Sequence, residues 1–450
     1  MKIFVFTLGI IYLLAAGMPA SAETGLTLIH TGTLLAVPGK QPTTKQTIIL
    51  RGHHIEDIRS GYLTPSDLGE KSARVIDLKD SFVMPGMIDT HVHLTTSNRP
   101  MDGENTVTST ESDLTILAAI NAKKIVEAGF TTVMDMGTGR RAHERAIYAT
   151  RDFIASGNIP GPDILAAGSP ISATGYSRTG RFRDDVENII GPQGVCHSPD
   201  SCRYRVREQI KRGADFINVY NSGSLLAKNS PAQTFSDAEL AAIADTARML
   251  GRVVVADGGN SKSSAAGINK AIKAGFSIID TVTYPDDQTF KLLKKHGGYF
   301  APHLYALIAA VGDTPETLEQ GTMGWLPRPV LEQLYKLKAE TPSAIIGYRA
   351  GATLILSSDS GVFPHGDNAH ELVTYVDLGI SAMDTLKAAT VNAAKAYRIY
   401  HRTGSLEAGK EADIIAMREN PLDNIKTVLD PIFVMSDGHI HRWKNNGNPQ

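Results

Sequence analysis

The 450-residue chain has an ordinary globular composition, with 42% hydrophobic and 20% charged residues. Its length suits one large barrel together with a smaller domain. Its 45 basic and 47 acidic residues give a formal net charge of −2, which excludes the basic footprint expected of a protein that binds nucleic acid.

The first residues of the chain have the pattern of a secretory signal peptide. Lys2 precedes an apolar run at residues 3–16, and the small residues 20–22 (ASA) supply a cleavage site. The alternative, a membrane anchor, is disfavoured because a span needs roughly 20 apolar residues. We therefore expect residues 1–22 to be removed. The mature protein should be secreted, in a bacterial periplasm, and should have no membrane span.

Short β-type runs separated by turns occupy both ends of the mature chain. The sequence letters of these runs are TLIH (27–30), TIIL (47–50), RVID (74–77), ADIIA (412–416) and PIFVM (431–435). Asp437-Gly438 follows the last run as a hairpin signal. The pattern predicts a small composite β-sandwich that is built from residues 23–85 and 403–445.

Between these ends, residues 86–402 alternate strand-like runs with helical segments. The strand-like runs lie at residues 87–93, 130–136, 163–168, 216–220, 252–257, 276–280, 299–303 and 352–359. Eight strands that alternate with helices predict an α/β fold, the (β/α)8 or TIM barrel. The alternative is a doubly wound open sheet, but no glycine-rich phosphate fingerprint follows the first strand.

Cys196 and Cys202 are the only cysteines, and five residues separate them in a loop rich in glycine, proline and serine. In an oxidising compartment such a pair closes a small disulfide loop. Two unpaired thiols are the alternative. A zinc site is disfavoured because His197 is the only further ligand nearby.

The first and last barrel strands end in residue types that bind metals. The first ends in the letters DTHVH, so His91 and His93 point to one side of the strand, about 7 Å apart along it. Two imidazoles at that spacing can share one zinc ion, although buried histidines with backbone partners give the same short motif. The eighth strand ends at Asp359, a candidate ligand or acid/base group whose alternative role is a helix cap or loop ion pair.

Together the motifs resemble those of the metal-dependent amidohydrolase superfamily, in its imidazolonepropionase-like and prolidase-like branch. The segments PGMIDTHVHL, AGFTTVMDMG, SSDSG and GSLEAGKEADII carry the resemblance, which covers residues 26–442. It implies one divalent metal held by His91, His93 and Asp359, with Asp359 as the catalytic proton acceptor. Zinc is the expected ion, although imidazole and carboxylate ligands also suit its neighbours.

Three other positions depart from the pattern of that family. Asn218 stands in place of the lysine that is carboxylated to bridge two metals, and Asp257 and Thr281 stand in place of two histidine ligands. Because an asparagine has no amine to carboxylate, the second metal site of the family cannot form in the usual manner. The resemblance therefore predicts a degenerate site with a single metal.

Further polar residues near the strand ends are candidates for the same site. His303, at the end of strand seven, is a candidate additional ligand or proton carrier, with a packing role as the alternative. His365 lies in a loop over the site and is a candidate for substrate binding. Asp257 and Asp280 also end strands and could supply oxygen ligands, although loop hydrogen bonds and helix caps are commoner roles.

Two functions are consistent with this sequence. The first is an exported hydrolase that cleaves a C–N bond, of an amide, peptide or cyclic amide type, through a single metal-activated water. The second is a catalytically inactive relative that is retained for ligand or partner binding. The expected partner is a small-molecule or peptide-like substrate, and no pattern in the sequence indicates an oligomeric state.

Overall fold

The protein is described by a computed structural model at residues 25–96, 108–138, 141–174, 193–222, 233–258, 264–280, 284–340 and 343–444. The predicted signal peptide and Thr281 lie outside these residues. Within them, no helix combines the length and the apolar character that a membrane crossing requires.

The strands of the described part alternate with helices in its middle and follow one another directly at its ends. They are β1 (Leu26–Leu34), β2 (Thr43–Arg51), β3 (His54–Ser60), β4 (Arg74–Pro85), β5 (Met87–Val92), β6 (Phe130–Asp135), β7 (Asp163–Ala166), β8 (Ile171–Ala173), β9 (Gly194–Cys196), β10 (Ile217–Tyr220), β11 (Val254–Asp257), β12 (Ile278–Asp280), β13 (Tyr299–Ala301), β14 (Thr353–Leu354), β15 (Ile414–Met417), β16 (Phe433–Ser436) and β17 (His439–Trp443).

Several helices start at a residue whose side chain caps the first turn, and several stop at or next to a glycine, as local sequence signals predict. They are α1 (Glu111–Glu127), α2 (Arg141–Ala155), α3 (Pro199–Arg212), α4 (Asp237–Met249), α5 (Ala265–Ala274), α6 (Asp287–His296), α7 (Leu304–Ala310), α8 (Arg328–Glu340), α9 (Ser343–Arg349), α10 (His370–Asp377), α11 (Ala382–Lys387) and α12 (Ala393–Ala396). The predicted cap Ser236 accepts a hydrogen bond from the Glu239 backbone at the start of α4.

The two ends of the chain form one seven-stranded sheet, in the order β17-β16-β15-β4-β1-β2-β3. Strand β4 joins the two ends because it pairs in parallel with β1 and antiparallel with β15. Apolar side chains from several strands of this sheet pack into one cluster, which includes Ile29, Ile48, Val83, Ile414 and Phe433. The sheet thus combines N-terminal and C-terminal strands, as the sequence predicts.

The middle of the chain forms the barrel. Strands β10 to β14 follow one another in parallel, and β5, β6 and β7 form a second parallel group. Backbone hydrogen bonds join the groups on both sides: Asp215 N donates to Ala166 O at 2.9 Å, and Asp359 N donates to His91 O at 2.9 Å. The (β/α)8 fold class predicted from the sequence is confirmed.

The eighth barrel strand is shorter than predicted. Regular pairing is confined to β14, whereas the predicted run extended over residues 352–359. The rest of that run stays next to β5, where Leu356 O accepts a hydrogen bond from Thr90 N at 3.0 Å. Its ladder is irregular because Leu356 N donates instead to Ala388 O, in the helical segment that packs beneath it.

Apolar side chains fill the barrel interior below the mouth. Ile88, Phe216, Val255, Ile278 and Ile355 are each at most 1% exposed and belong to one cluster. A filled interior confines any chemistry to the ring of polar residues where the strands end.

A disulfide joins Cys196, at the end of β9, to Cys202 in the first turns of α3. Ser198 caps the same helix by accepting a hydrogen bond from Ser201 N. The bond therefore fixes the start of α3 to the small β8–β9 addition at the edge of the barrel.

Candidate metal centre

The first barrel strand carries two histidines to the mouth of the barrel. The pairing of β5 with β6 is irregular between Asp89 and Val92, and bulges of this kind are common next to functional sites. His91 is 3% exposed, and the side chain of His93 is 15% exposed. Both rings therefore lie inside the protein, with the second one closer to solvent.

The two imidazoles meet a carboxylate from the other end of the barrel sequence. His91 Nε2 lies 3.1 Å from His93 Nε2, and Asp359 Oδ1 lies 3.4 and 3.3 Å from these two atoms. Ligand atoms that share a tetrahedral zinc at about 2.0–2.1 Å stand about 3.3–3.4 Å apart. The three side chains therefore fit one face of a tetrahedral metal site and leave the fourth position open.

The backbone at Asp359 is held in an unusual conformation. Its φ of 58° is left-handed, which is uncommon for a residue other than glycine and is typical of functional sites. Gly361 follows with a φ of 118°, and a Cβ there would lie 2.5 Å from Thr96 Oγ1 and 3.1 Å from His93 Cβ. The turn after strand eight therefore packs directly against the histidine segment.

Two further side chains extend this cluster. Asp280, at the end of β12, is fully buried, and its Oδ1 accepts a hydrogen bond from His303 Nδ1 at 3.2 Å. The same oxygen lies 3.1 Å from His91 Nδ1, an ionic contact whose angle does not meet hydrogen-bond geometry. His303 Nε2 in turn lies 3.7 Å from Asp359 Oδ2. Asp280 thus contacts the Nδ1 atoms of both histidines, while their Nε2 atoms lie near Asp359.

The charges in this cluster shift the pKa values strongly. Burial lowers the pKa of His91, but Asp280 and Asp359 outweigh it and raise the pKa to about 10. Burial raises the pKa of Asp280, but His91 and His303 outweigh it and lower the pKa to about 2. For Asp359 the imidazoles likewise overcome burial and hold the pKa well below its usual range. Without a cation, the buried carboxylates favour the protonated form of His91.

Asp89 connects the two ends of the barrel behind the histidines. Its carboxylate accepts hydrogen bonds from Asn368 Nδ2 at 2.7 Å, from Ser358 N at 3.0 Å and from His91 N at 3.1 Å. Burial raises the pKa of Asp89 to about 6. Sequence reasoning missed this role, although the DTHVH motif places the acid two residues before His91.

Two residues that follow the eighth strand, Glu371 in α10 and His365 in the preceding loop, support the other members of the cluster. The fully buried Glu371 accepts hydrogen bonds from Leu304 N at 3.0 Å and Tyr305 N at 2.6 Å, at the start of the helix that follows His303. His365 is 7% exposed, and its Nε2 lies 3.2 Å from the carbonyl oxygen of His93. Burial lowers the pKa of His365 to about 3, so the ring is neutral.

The opposite side of the mouth carries the replaced positions. Asn218 is 1% exposed, and its Nδ2 donates to Met136 O at 3.1 Å, which turns the amide to a backbone partner. Asp257 ends β11 beside Asp280, with 7% exposure. Of these strand-end acids, Asp280 therefore joins the histidines directly, while Thr281 lies outside the described residues.

Enzymes built on a parallel (β/α)8 barrel carry their active sites where the strands end, and the two histidines and the aspartate lie at that position. Comparison with known proteins identifies the group within that class. The chain matches the amidohydrolase family over residues 82–441 and belongs to that family, whose members hydrolyse C–N bonds and are generally metal-dependent.

Individual relatives span nearly the whole chain. Ochratoxinase from Aspergillus niger is 28% identical over 448 residues, which cover 94% of this chain and 86% of the relative. The structure of a Xaa-Pro dipeptidase with bound methionine is 30% identical with a TM-score of 0.79, and covers 92% of this chain and 99% of that one. A prolidase in complex with N-methylphosphonate-L-proline has the same fold, at a TM-score of 0.80 and 22% identity over 93% of this chain and 100% of that one.

Proposed function

We propose that this protein is an exported hydrolase that cleaves amide-type C–N bonds with a single divalent metal ion, zinc, held by His91, His93 and Asp359. The observation that carries the proposal is the convergence of three donor atoms from these residues, 3.1 to 3.4 Å apart, at the mouth of the barrel. Two imidazoles and a carboxylate with an open fourth position are the ligand set of a catalytic zinc centre.

The bound ion would supply Lewis-acid chemistry, lowering the pKa of a water and polarising the carbonyl of the substrate. Asp359 Oδ2 is the carboxylate oxygen that faces His303, and it accepts the proton as the water attacks the carbonyl carbon. His303 then carries that proton to the leaving nitrogen. Because His303 Nδ1 donates to Asp280 at 3.2 Å, its Nε2 is the atom that can accept the proton from Asp359.

Burial supports this assignment of roles. His91, Asp280 and His303 are 3%, 0% and 7% exposed, so these side chains are shielded from bulk water. Electrostatic interactions are stronger in such an environment than in bulk water. Asp359, with 20% side-chain exposure, is the carboxylate that faces the opening, which suits a group that exchanges protons with a substrate.

The relatives indicate the substrate class. One is a Xaa-Pro dipeptidase and another is an ochratoxinase, and both match this chain over most of its length. Their names support a small-molecule or peptide-like substrate with an amide bond, such as a dipeptide, an acylated amino acid or a cyclic amide.

Metal content together with turnover tests the proposal. After extensive dialysis we expect one tightly held divalent ion per chain in the wild type, lost in His91→Ala and kept in the exposed control His296→Ala. At least one substrate from a panel of dipeptides, acyl-amino acids and cyclic amides should then yield product with the wild type and with the control, but not with His91→Ala. Failure to retain any ion after zinc or manganese supplementation would overturn the proposal.

A catalytically inactive, ligand-binding role is the second candidate, and the replaced positions favour it. The Asn218 amide is engaged with the Met136 carbonyl, and an acid occupies the end of β11. This candidate predicts that ligands from the same panel raise the melting temperature without being consumed. Release of product from any of them excludes it.

Export rests on the first 22 residues and is supported by the disulfide at Cys196 and Cys202. The test is expression of the full chain in a Gram-negative host, followed by cell fractionation and N-terminal sequencing. A periplasmic protein that begins at Glu23 is expected. A cytoplasmic protein that retains residues 1–22 would contradict export.

A further inference from the structure

A second cluster of metal-binding side chains lies in the sheet built from the two ends of the chain, away from the barrel mouth. His53, Asp437 and His439 each present one potential ligand atom, and these atoms all lie within 4.8 Å of one another. His53 precedes β3, Asp437 lies in the turn between β16 and β17, and His439 is the first residue of β17. Two hairpin turns, from opposite ends of the sequence, thus bring the three residues together.

One imidazole of this cluster is already oriented as in a metal site. His53 Nδ1 lies 2.6 Å from the carbonyl oxygen of Asp437, to which it donates a hydrogen bond. That bond places the proton on Nδ1 and leaves the lone pair of Nε2 available to a metal. Histidine ligands in metalloproteins usually donate their other ring N–H to a backbone carbonyl or carboxylate in this way.

The backbone around the cluster is fixed by its own contacts. Asp437 and Gly438 have φ values of 46° and 73°, as the tight turn between two antiparallel strands requires. A Cβ at Gly438 would lie 3.0 Å from His53 Cα, so the two turns pack closely. Asp437 N also donates to the buried Asp413 at 3.0 Å. The ligands are therefore mounted on a rigid scaffold.

The His439 ring lies close to the His53 ring. The rings of His53 and His439 lie 4.8 Å apart between centroids, at an angle of 37°. Asp437 and His439 are exposed and His53 is half-buried, so an ion can enter from solvent and keep water as its remaining ligands.

We propose that His53, Asp437 and His439 form a second, surface site for a divalent transition-metal ion, separate from the barrel centre. Two imidazoles and one carboxylate suit copper, nickel and zinc and not calcium or magnesium, which prefer oxygen ligands. By the usual affinity order, the site binds Cu²⁺ more tightly than Zn²⁺.

Titration of the full-length mature protein tests this site. After dialysis, Cu²⁺ or Zn²⁺ is added to the wild type, to His53→Gln, to His439→Gln and to the control His296→Gln, with Ca²⁺ as the control ion. We expect one additional equivalent in the wild type and the control. Either cluster variant should weaken its binding at least about 100-fold, more than the loss of a supporting residue costs. Melting temperatures before metal addition confirm that each variant is folded.

Three results would overturn the proposal: equal affinity in the wild type and both cluster variants, an equal loss in the His296 variant, or equal binding of Ca²⁺. The same samples also report on the barrel centre, because we expect the ion that is retained through dialysis to depend on His91, His93 and Asp359 and not on His53 or His439. The experiment can therefore contradict the surface site and still support the proposed catalytic centre, or contradict the catalytic centre and still support the surface site.

Discussion

The two sides of the barrel mouth differ sharply. On the side of the first and last strands, His91, His93 and Asp359 converge to within 3.4 Å of one another. On the side of β10 and β11, Asn218 turns its amide to a backbone carbonyl and Asp257 ends its strand as an acid. The first half has the donor geometry of a metal site, whereas the second half carries an amide and a carboxylate on the corresponding strands.

The half with the converged donor atoms has a further acidic residue next to its histidines. Asp280 contacts the Nδ1 atoms of His91 and His303, while the Nε2 atoms of both rings lie near Asp359. Carboxylates that support metal-binding histidines in this way fix their orientation and raise their basicity. We therefore expect Asp280 to support the proposed metal ligand His91 and the proposed proton carrier His303.

The largest effect is expected where the intact half is broken. His93→Ala removes one of three ligands, so the barrel ion should be lost and kcat/KM should fall at least about 1000-fold, because a Lewis-acid ion contributes several kcal/mol. Metal analysis and steady-state kinetics measure both. Asp257→Asn, on the other half, is the matched control and should keep the ion. Comparable loss in both variants would remove the distinction between the halves.

The next effect concerns the proton carrier. His303→Gln should lower kcat about 100- to 10,000-fold, the usual contribution of a positioned acid/base group, while the barrel ion stays bound. The pH–rate profile should also lose one limb. If kcat remained within a factor of two of the wild type, the ring that bridges Asp280 and Asp359 would have no role in proton transfer.

A smaller effect on metal affinity is expected at Asp89, which supports the proposed ligands without binding the metal. Asp89→Asn replaces a carboxylate that accepts hydrogen bonds from Asn368, Ser358 and His91 by an amide that cannot accept them all. Loss of such support typically weakens metal affinity about 10- to 100-fold. Competition with a chelator measures it, with the exposed Asp245→Asn as control. Unchanged affinity would show that the ligands need no support from Asp89.

The smallest effect on activity is expected on the altered half. Asn218→Ala leaves the Met136 carbonyl without its side-chain donor, which should cost about 1 kcal/mol or more of unfolding free energy. Metal content and kcat should stay within about a factor of three of the wild type. A large loss of activity with intact folding would mean that this amide takes part in the reaction and would bring the second half back into the site.

The amino-acid sequence by itself determined the fold class and the principal ligand candidates of this protein. The local hydrophobic periodicity predicts the alternation of strands and helices. His91 and His93 lie two residues apart on one predicted strand, so the sequence alone identifies them as candidate ligands. The hairpin at Asp437-Gly438 is equally local, and it appears between β16 and β17.

Only the tertiary structure decided which of the other polar residues join the site. Asp257 and Asp280 look alike in sequence, since both end barrel strands, yet Asp280 is the one that contacts His91 and His303. Closure of the barrel also turns Asp89 into a link between its first and last segments. These contacts depend on how the barrel closes and on where each strand ends. A local pattern of residues does not determine either feature.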